Sequence, residues 1–227
     1  MRKFFFLILT CFSFLFASAQ PAKNDSLRKA KDSTLRATIH EDSIKIEKQF
    51  AETEKMEKMI ALFEYPALKA GKFSGIIPVK GPTEIPDPNI DYKLLFELSF
   101  NNPDSIAKDI NGGLSEITRV INLHVASGIP LKKIIPVIIV HGMALDAISN
   151  NETYRKKYKL DNPNIKTIDE LKKITGAKFI ACGQAMAFFE VKKEELLPDI
   201  KISLTAQTVL SHYQLKGYVL YQIRDLK

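Results

Sequence analysis

A cysteine and a histidine each follow an apolar run that has the length of a buried strand. Cys182 ends the run KFIAC and is followed by Gly183 and Gln184, where a helical pattern begins. His141 and Gly142 follow the run KIIPVIIV in the same way. A cysteine and a histidine within reach of each other can form a thiolate–imidazolium pair, whose sulfur is a nucleophile. The sequence therefore predicts a nucleophilic cysteine, with Cys182 and His141 as the catalytic candidates.

Each of these two residues also has a purely structural interpretation. A cysteine at a strand end is often a small buried apolar side chain, and a histidine there is often a core residue with satisfied hydrogen bonds. Two arguments favour chemistry. In a parallel sheet both residues lie on the same edge, and the amides of Gly183 and Gln184 at a helix start would stabilise a thiolate. The order of the strands decides whether the two side chains meet, and the sequence does not fix that order.

The elements that must position these residues alternate between strands and helices from residue 91 onward. Predicted strands cover residues 92–100, 133–140, 178–182, 201–204 and 218–223. Helices are predicted for residues 105–127, with a bend at Gly112 and Gly113, from Ala144 onward, for 167–175 with Thr167 as N-cap, after Cys182, and for 206–216. Strands rich in Val, Ile and Leu with helical crossovers indicate a three-layer α/β/α sandwich around a mostly parallel five-stranded sheet. Asn101 and Gln207 also follow predicted strands, so we expect them to line the same edge with Gly142, Gly183 and Gln184.

Three segments precede this domain. Residues 1–19 have the basic start, apolar run and small-residue end of a signal peptide, which predicts export, in a bacterial cell to the periplasm. Removal of that segment takes Cys11 away and leaves Cys182 unpaired. Residues 20–64 read as a long charged helix with one narrow apolar stripe, either a solvated extension or a surface for oligomerisation. Residues 65–90, rich in Pro and Gly, are predicted to be a loop that lies on the domain.

Charge and motif content exclude several function classes. The formal net charge of +7 is spread among many acids without an Arg-rich block, so no nucleic-acid partner is expected. No Gly-rich phosphate loop and no metal-ligand spacing of the strong kind occur, so neither a cofactor nor a metal is predicted. No long apolar run follows residue 19, so no membrane association is expected after signal removal.

Three stretches of sequence resemble the DsrE/DsrF-like family of sulfur-relay proteins. They are PVIIVHGMAL at 136–145, ITGAKFIACGQAM at 174–186 and LLPDIKISLTAQTVLSHYQLKGYVLYQI at 196–223. The resemblance implies a five-stranded parallel sheet, assembly into homo-oligomers, and a cysteine after the third strand that carries sulfur as a persulfide. Cys182 matches that position, and the family's strand order would place His141 beside it.

The resemblance implies a sulfur carrier or sulfurtransferase, with a protein or a small sulfur species as donor and acceptor. The predicted signal peptide makes it an exported one, in which it departs from the family's relay members, because those act on cytoplasmic partners. The alternative is a non-catalytic oligomeric binding or scaffold module in which Cys182 is structural.

Overall fold

The structure is a computed structural model that describes residues 20–223, with side chains from residue 25 onward. The predicted signal peptide, residues 1–19, lies outside the described residues. The chain divides between Lys58 and Met59 into two units. The described part of the first unit, residues 20–58, is a single helix that ends at Ile60, and the second unit contains the sheet.

The second unit is built on a five-stranded sheet whose strands are all parallel. The strands are β1 (Tyr92–Leu98), β2 (Ile134–Val140), β3 (Lys178–Cys182), β4 (Lys201–Ser203) and β5 (Val219–Ile223). Their order across the sheet is β4-β3-β2-β1-β5. The predicted fold class is confirmed. The ends of each predicted strand differ by at most two residues from those of the observed strand. β2 and β3 are neighbours, as the family resemblance implies.

Helices cover both faces of this sheet. Within residues 20–223 the α-helices are α1 (Gln20–Ile60), α2 (Gly112–Ala126), α3 (Asn151–Tyr158), α4 (Ile165–Thr175), α5 (Gly183–Phe188) and α6 (Ala206–Leu215), of which α2 to α6 lie in the second unit with the sheet. The larger apolar cluster joins one sheet face to α2 and α4, through side chains such as Phe96, Ile117 and Leu171. The smaller cluster lies on the opposite face under α6 and includes Leu95, Ile139 and Ile180. Cys182 belongs to this smaller cluster, so its surroundings are set by α6.

The prediction of one helix over residues 105–127 is wrong at its start. A single 3-10 turn covers Asp104–Ile106, and α2 begins only at Gly112. Asn111 determines this start, because its Oδ1 accepts hydrogen bonds from the amides of Gly113 (2.9 Å) and Leu114 (3.3 Å). The two glycines therefore open the helix rather than bend it. A Cβ on Gly113 would lie 2.2 Å from Leu98 Cδ1, so glycine lets α2 approach β1 closely.

Two further helix starts differ from the prediction. The residues after β2 form a 3-10 helix, Gly142–Ile148, and the α-helix that was expected from Ala144 begins only at Asn151. α4 begins at Ile165, so Thr167 is a buried residue inside the first turn and not the N-cap. The side chain of Asn164, at the N-cap position, is turned away from the helix and accepts a hydrogen bond from the Asn111 amide at 2.7 Å.

The loop before the sheet is attached to α2 by one side chain. Asn122 Oδ1 accepts hydrogen bonds from the amides of Ala67 (2.9 Å) and Leu68 (3.1 Å). Its Nδ2 donates to the carbonyls of Leu68 (2.8 Å) and Ser74 (2.7 Å), and Asn122 is fully buried. Residues 67–74 therefore pack on α2 within the second unit. Within residues 20–223, no helix has the length and apolar character needed to cross a bilayer.

Candidate active site

The Cys182 thiol lies at the carboxyl end of β3 and is nearly covered. The residue is 5% exposed and packs in the apolar cluster under α6. The amide of Ala206 donates a hydrogen bond to Sγ at 3.2 Å. Ala206 is the first residue of α6, so the positive end of that helix faces the sulfur. An amide donor and the positive end of a helix both stabilise negative charge on a sulfur atom.

The stabilising amide comes from a different helix than the sequence predicts. The Gln184 amide is not available to the sulfur, because it donates to the Leu204 carbonyl at 3.1 Å. Gly183 lies directly against the next strand, since a Cβ there would be 2.6 Å from the Ser203 carbonyl oxygen. This close approach of the β3–α5 turn to the β4–α6 turn brings Ala206 to the sulfur. The local geometry at Cys182 therefore depends on glycine at position 183.

His141 is the next neighbour of Cys182 across the sheet. The last paired residues of β2 and β3 are Val140 and Ala181, and His141 and Cys182 follow them directly. His141 has extended backbone angles, so alternation puts its side chain on the face of Ile139, which is the face of Cys182. Adjacent strands lie about 4.8 Å apart. Within the described part of the chain, no hydrogen bond joins the imidazole to the thiol.

The His141 ring instead contacts a carboxylate that the sequence reasoning missed. Nε2 of His141 lies 3.1 Å from Oε1 of Glu97 on β1. The other carboxylate oxygen of Glu97 accepts a hydrogen bond from Gln222 Nε2 on β5, also at 3.1 Å. When the ring donates its Nε2 proton to Glu97, the lone pair is on Nδ1 and the imidazole orientation is held. Cys182, His141, Glu97 and Gln222 thus form a polar row across β3, β2, β1 and β5.

One sequence signal could have identified part of this row. Glu97 is the only acidic side chain in the apolar strand YKLLFELSF, and a charge in such a strand needs a partner. Gln222 carried no comparable signal, because its position opposite Glu97 follows from β5 pairing with β1.

The other predicted site residues lie around this edge but do not contact the sulfur. Gly142 has a φ of 58° and fits closely under the Ser99 carbonyl, 2.8 Å from where a Cβ would lie. Gln207 is exposed on the first turn of α6, where its amide is 3.4 Å from Thr205 Oγ1. Among the described residues, no three His, Cys, Asp or Glu side chains are grouped closely enough to hold a metal ion.

Asn101 belongs to a separate polar network centred on Asp146. Its Nδ2 donates to Asp146 Oδ2 and to the Tyr158 hydroxyl, both at 3.1 Å. The same carboxylate oxygen accepts from the Tyr158 hydroxyl and from Lys157 Nζ, both at 2.6 Å. The network ties the β1 end to α3, and its contacts are internal to the protein.

Burial and neighbouring charges make the tyrosines of this network weaker acids than tyrosine in water. Burial, together with the nearby charges of Tyr158 and Asp146, raises the pKa of Tyr154 to about 12. Burial lowers the pKa of Lys157, but hydrogen bonds with Asp146 and Tyr158 outweigh it and raise that pKa to about 12. Burial and the Asp146 hydrogen bond also raise the pKa of Tyr158. In each case the folded state holds its proton more tightly than the unfolded state does.

The raised pKa values of Tyr154, Lys157 and Tyr158 predict a loss of stability at alkaline pH. A raised folded-state pKa contributes stability below the unfolded value, near pH 10, and loses it as the pH rises towards about 12. We expect the free energy of unfolding to fall by roughly 2 kcal/mol over that range. Tyr154→Phe should reduce the fall, as measured by urea unfolding at pH about 9 and about 12. An unchanged pH dependence in that variant would contradict the assignment.

Comparison with known proteins gives a family match and a structural neighbour. The family model of the DsrE/DsrF-like family matches residues 101–221, which include His141, Cys182 and all of α6. No curated protein matches significantly. Among solved structures, a protein of unknown function from Methanobacterium thermoautotrophicum is similar, with 17% identity and a TM-score of 0.43. The similarity covers 58% of this chain and 99% of that one.

Proposed function

Because this chain belongs to the DsrE/DsrF-like family, we propose that it carries sulfane sulfur as a persulfide on Cys182. The observation that carries the proposal is the hydrogen bond from the Ala206 amide to Sγ at 3.2 Å, at the start of α6. A thiolate is the reactive form of cysteine, and this amide and helix dipole stabilise it without a metal or cofactor. We further propose that the chain acts outside the cytoplasm, after removal of residues 1–19.

The reaction needs no oxidant, because the donor already contains sulfane sulfur. The Cys182 thiolate attacks the terminal sulfur of a polysulfide, one S–S bond forms, and one breaks as the shortened polysulfide leaves. The product is a persulfide on Cys182. An acceptor thiolate then attacks the outer sulfur, takes it as its own persulfide, and releases the Cys182 thiolate.

His141 would assist from the adjacent strand. A ring held by Glu97 on one side can present its other nitrogen towards the sulfur and take the thiol proton. The positive imidazolium then lies between the Glu97 carboxylate and the thiolate. Glu97 and Gln222 act through the orientation of His141 and do not contact the sulfur.

One observation favours the second candidate function, a non-catalytic binding or scaffold module. Cys182 is 5% exposed and packs against Ile180 and Val137, as a structural cysteine would. A sulfur donor can reach Sγ only if the surface over the strand end opens slightly. Under this second candidate the thiol would be inert while the chain is folded.

The alkylation rate of the native protein separates the two functions. A persulfide carrier should react with iodoacetamide in the folded state, at a rate much faster than that of unfolding. A control reaction in denaturant gives the rate of the fully accessible thiol. If alkylation occurs only as fast as the protein unfolds, Cys182 is structural and the scaffold function replaces the carrier.

A further inference from the structure

The helix α1 carries an exposed apolar stripe along its charged surface. Leu35, Ile39, Ile46 and Met56 are all more than 40% exposed. Ile39 and Ile46 are separated by seven residues, and Leu35 and Met56 take the second apolar position of the same heptad frame. A helix of 41 residues with so little burial is marginal in water without a partner. A stripe of this width fits one other helix.

The charges beside this stripe select both the partner and its direction. Residues 20–38 carry five basic and two acidic side chains, whereas residues 39–60 carry four basic and six acidic ones. Two copies of such a helix attract each other when they run in opposite directions. In a parallel pair, the heptad frame would place Glu52 opposite Glu57 and Lys31 opposite Arg36, both with like charge.

An antiparallel pair reverses these interactions. When Ile39 of one copy faces Met56 of the other, Ile46 faces Gln49 in the next layer. In the same register, Lys45 flanks Glu52 of the second copy, and Arg36 flanks its Glu57. Each contact occurs twice by symmetry. Arg36 also pairs with Asp32 within its own helix, at 3.0 Å, so Lys45 and Glu52 are the cleaner test of the interface.

We propose that α1 forms an antiparallel coiled coil with α1 of a second copy of this chain, centred between Glu47 and Lys48. Polar residues interrupt the stripe at Asp42, Gln49 and Thr53, which limits the affinity and fixes the register. The interface lies outside the segment that matches the family model, residues 101–221, and is independent of the function proposed for Cys182.

Disulfide trapping tests the partner and the direction together. In the full chain with Cys11→Ser and Cys182→Ser, Ile39→Cys and Met56→Cys are made separately and carried on chains with different tags. Mild oxidation of the mixture should link the two kinds of chain to each other, with little linkage within either kind. Linkage of each variant to itself would indicate a parallel pair. No linkage in any combination would show that α1 does not pair with itself. Either result overturns the proposal, and circular dichroism verifies that the variants are folded.

A charge exchange supplies the second test. Lys45→Glu should reduce the linked fraction about tenfold, since it makes two attractive pairs repulsive. Adding Glu52→Lys should restore linkage. The matched control is Lys48→Glu, because Lys48 lies away from the stripe and its reversal should leave linkage unchanged. Equal effects of Lys45→Glu and Lys48→Glu would contradict the register.

Discussion

Replacing Cys182 by serine is expected to abolish sulfur uptake completely while lowering the free energy of unfolding by only about 1 kcal/mol. A serine hydroxyl is not a nucleophile of comparable strength and cannot hold a stable persulfide. It can still accept the hydrogen bond from the Ala206 amide, so the start of α6 keeps its partner. The cost comes from placing a hydroxyl in the apolar cluster under α6.

Cys182→Ala is the matched control for this prediction. Alanine also lacks the nucleophile, but it leaves the buried Ala206 amide without an acceptor, which costs about 1–3 kcal/mol. Intact mass after polysulfide treatment measures uptake, and urea unfolding measures stability. We expect neither variant to gain sulfur and the serine variant to be the more stable of the two. Sulfur uptake by the serine variant would place the carrier site elsewhere, and its failure to fold would make Cys182 structural.

Gly183→Ala should strongly disrupt the geometry at Cys182. A Cβ at this position would lie 2.6 Å from the Ser203 carbonyl oxygen, and backbone cannot move aside as a flexible side chain can. The β3–α5 turn must then separate from the β4–α6 turn, which pulls the Ala206 amide away from Sγ. We expect a loss of about 3 kcal/mol in the free energy of unfolding. Alkylation of Cys182 at neutral pH should also slow, because the thiolate loses its amide donor.

Gly112→Ala is a close control, because Gly112 likewise opens its helix and its φ is not in the left-handed region. A Cβ there would have its nearest neighbour at 3.7 Å, which is ordinary contact. The free energy of unfolding of the Gly112→Ala variant should therefore stay within about 1 kcal/mol of that of the unmodified chain. Equal stabilities for the two alanine variants would mean that the turn at Gly183 adapts and does not fix the sulfur.

Much of the fold could be predicted because the strands are nearly continuous apolar runs. KIIPVIIV and KFIAC are typical of strands buried on both faces, and their order along the chain with helices between them indicates a parallel sheet. The helix starts were harder, since several residues could serve as caps. Asn111 caps α2 through side-chain bonds, and Thr167 does not cap α4. Which residue caps a helix depends on tertiary contacts, and the hydrophobic periodicity of the sequence gives no information about these contacts.

For the site, the sequence predicts where each residue lies along its own strand, but not which residues from other elements contact it. Cys182 and His141 follow their strands, so a shared edge of the sheet could be inferred. The amide that donates to the sulfur could not be inferred from the sequence. It belongs to Ala206, which is 24 residues from Cys182 and reaches Sγ only because two turns pack together. Glu97 and Gln222 meet because β5 returns to pair with β1, a contact that spans 125 residues.

The most direct test of the central claim is the intact mass of the unmodified protein after exposure to polysulfide. A stable gain of one sulfur atom on Cys182 is predicted, together with its loss when a second thiol is added. Prior alkylation of Cys182 should prevent the gain. A protein that stays at its original mass while folded, and gains sulfur only after denaturation, would contradict the account and make Cys182 part of the core.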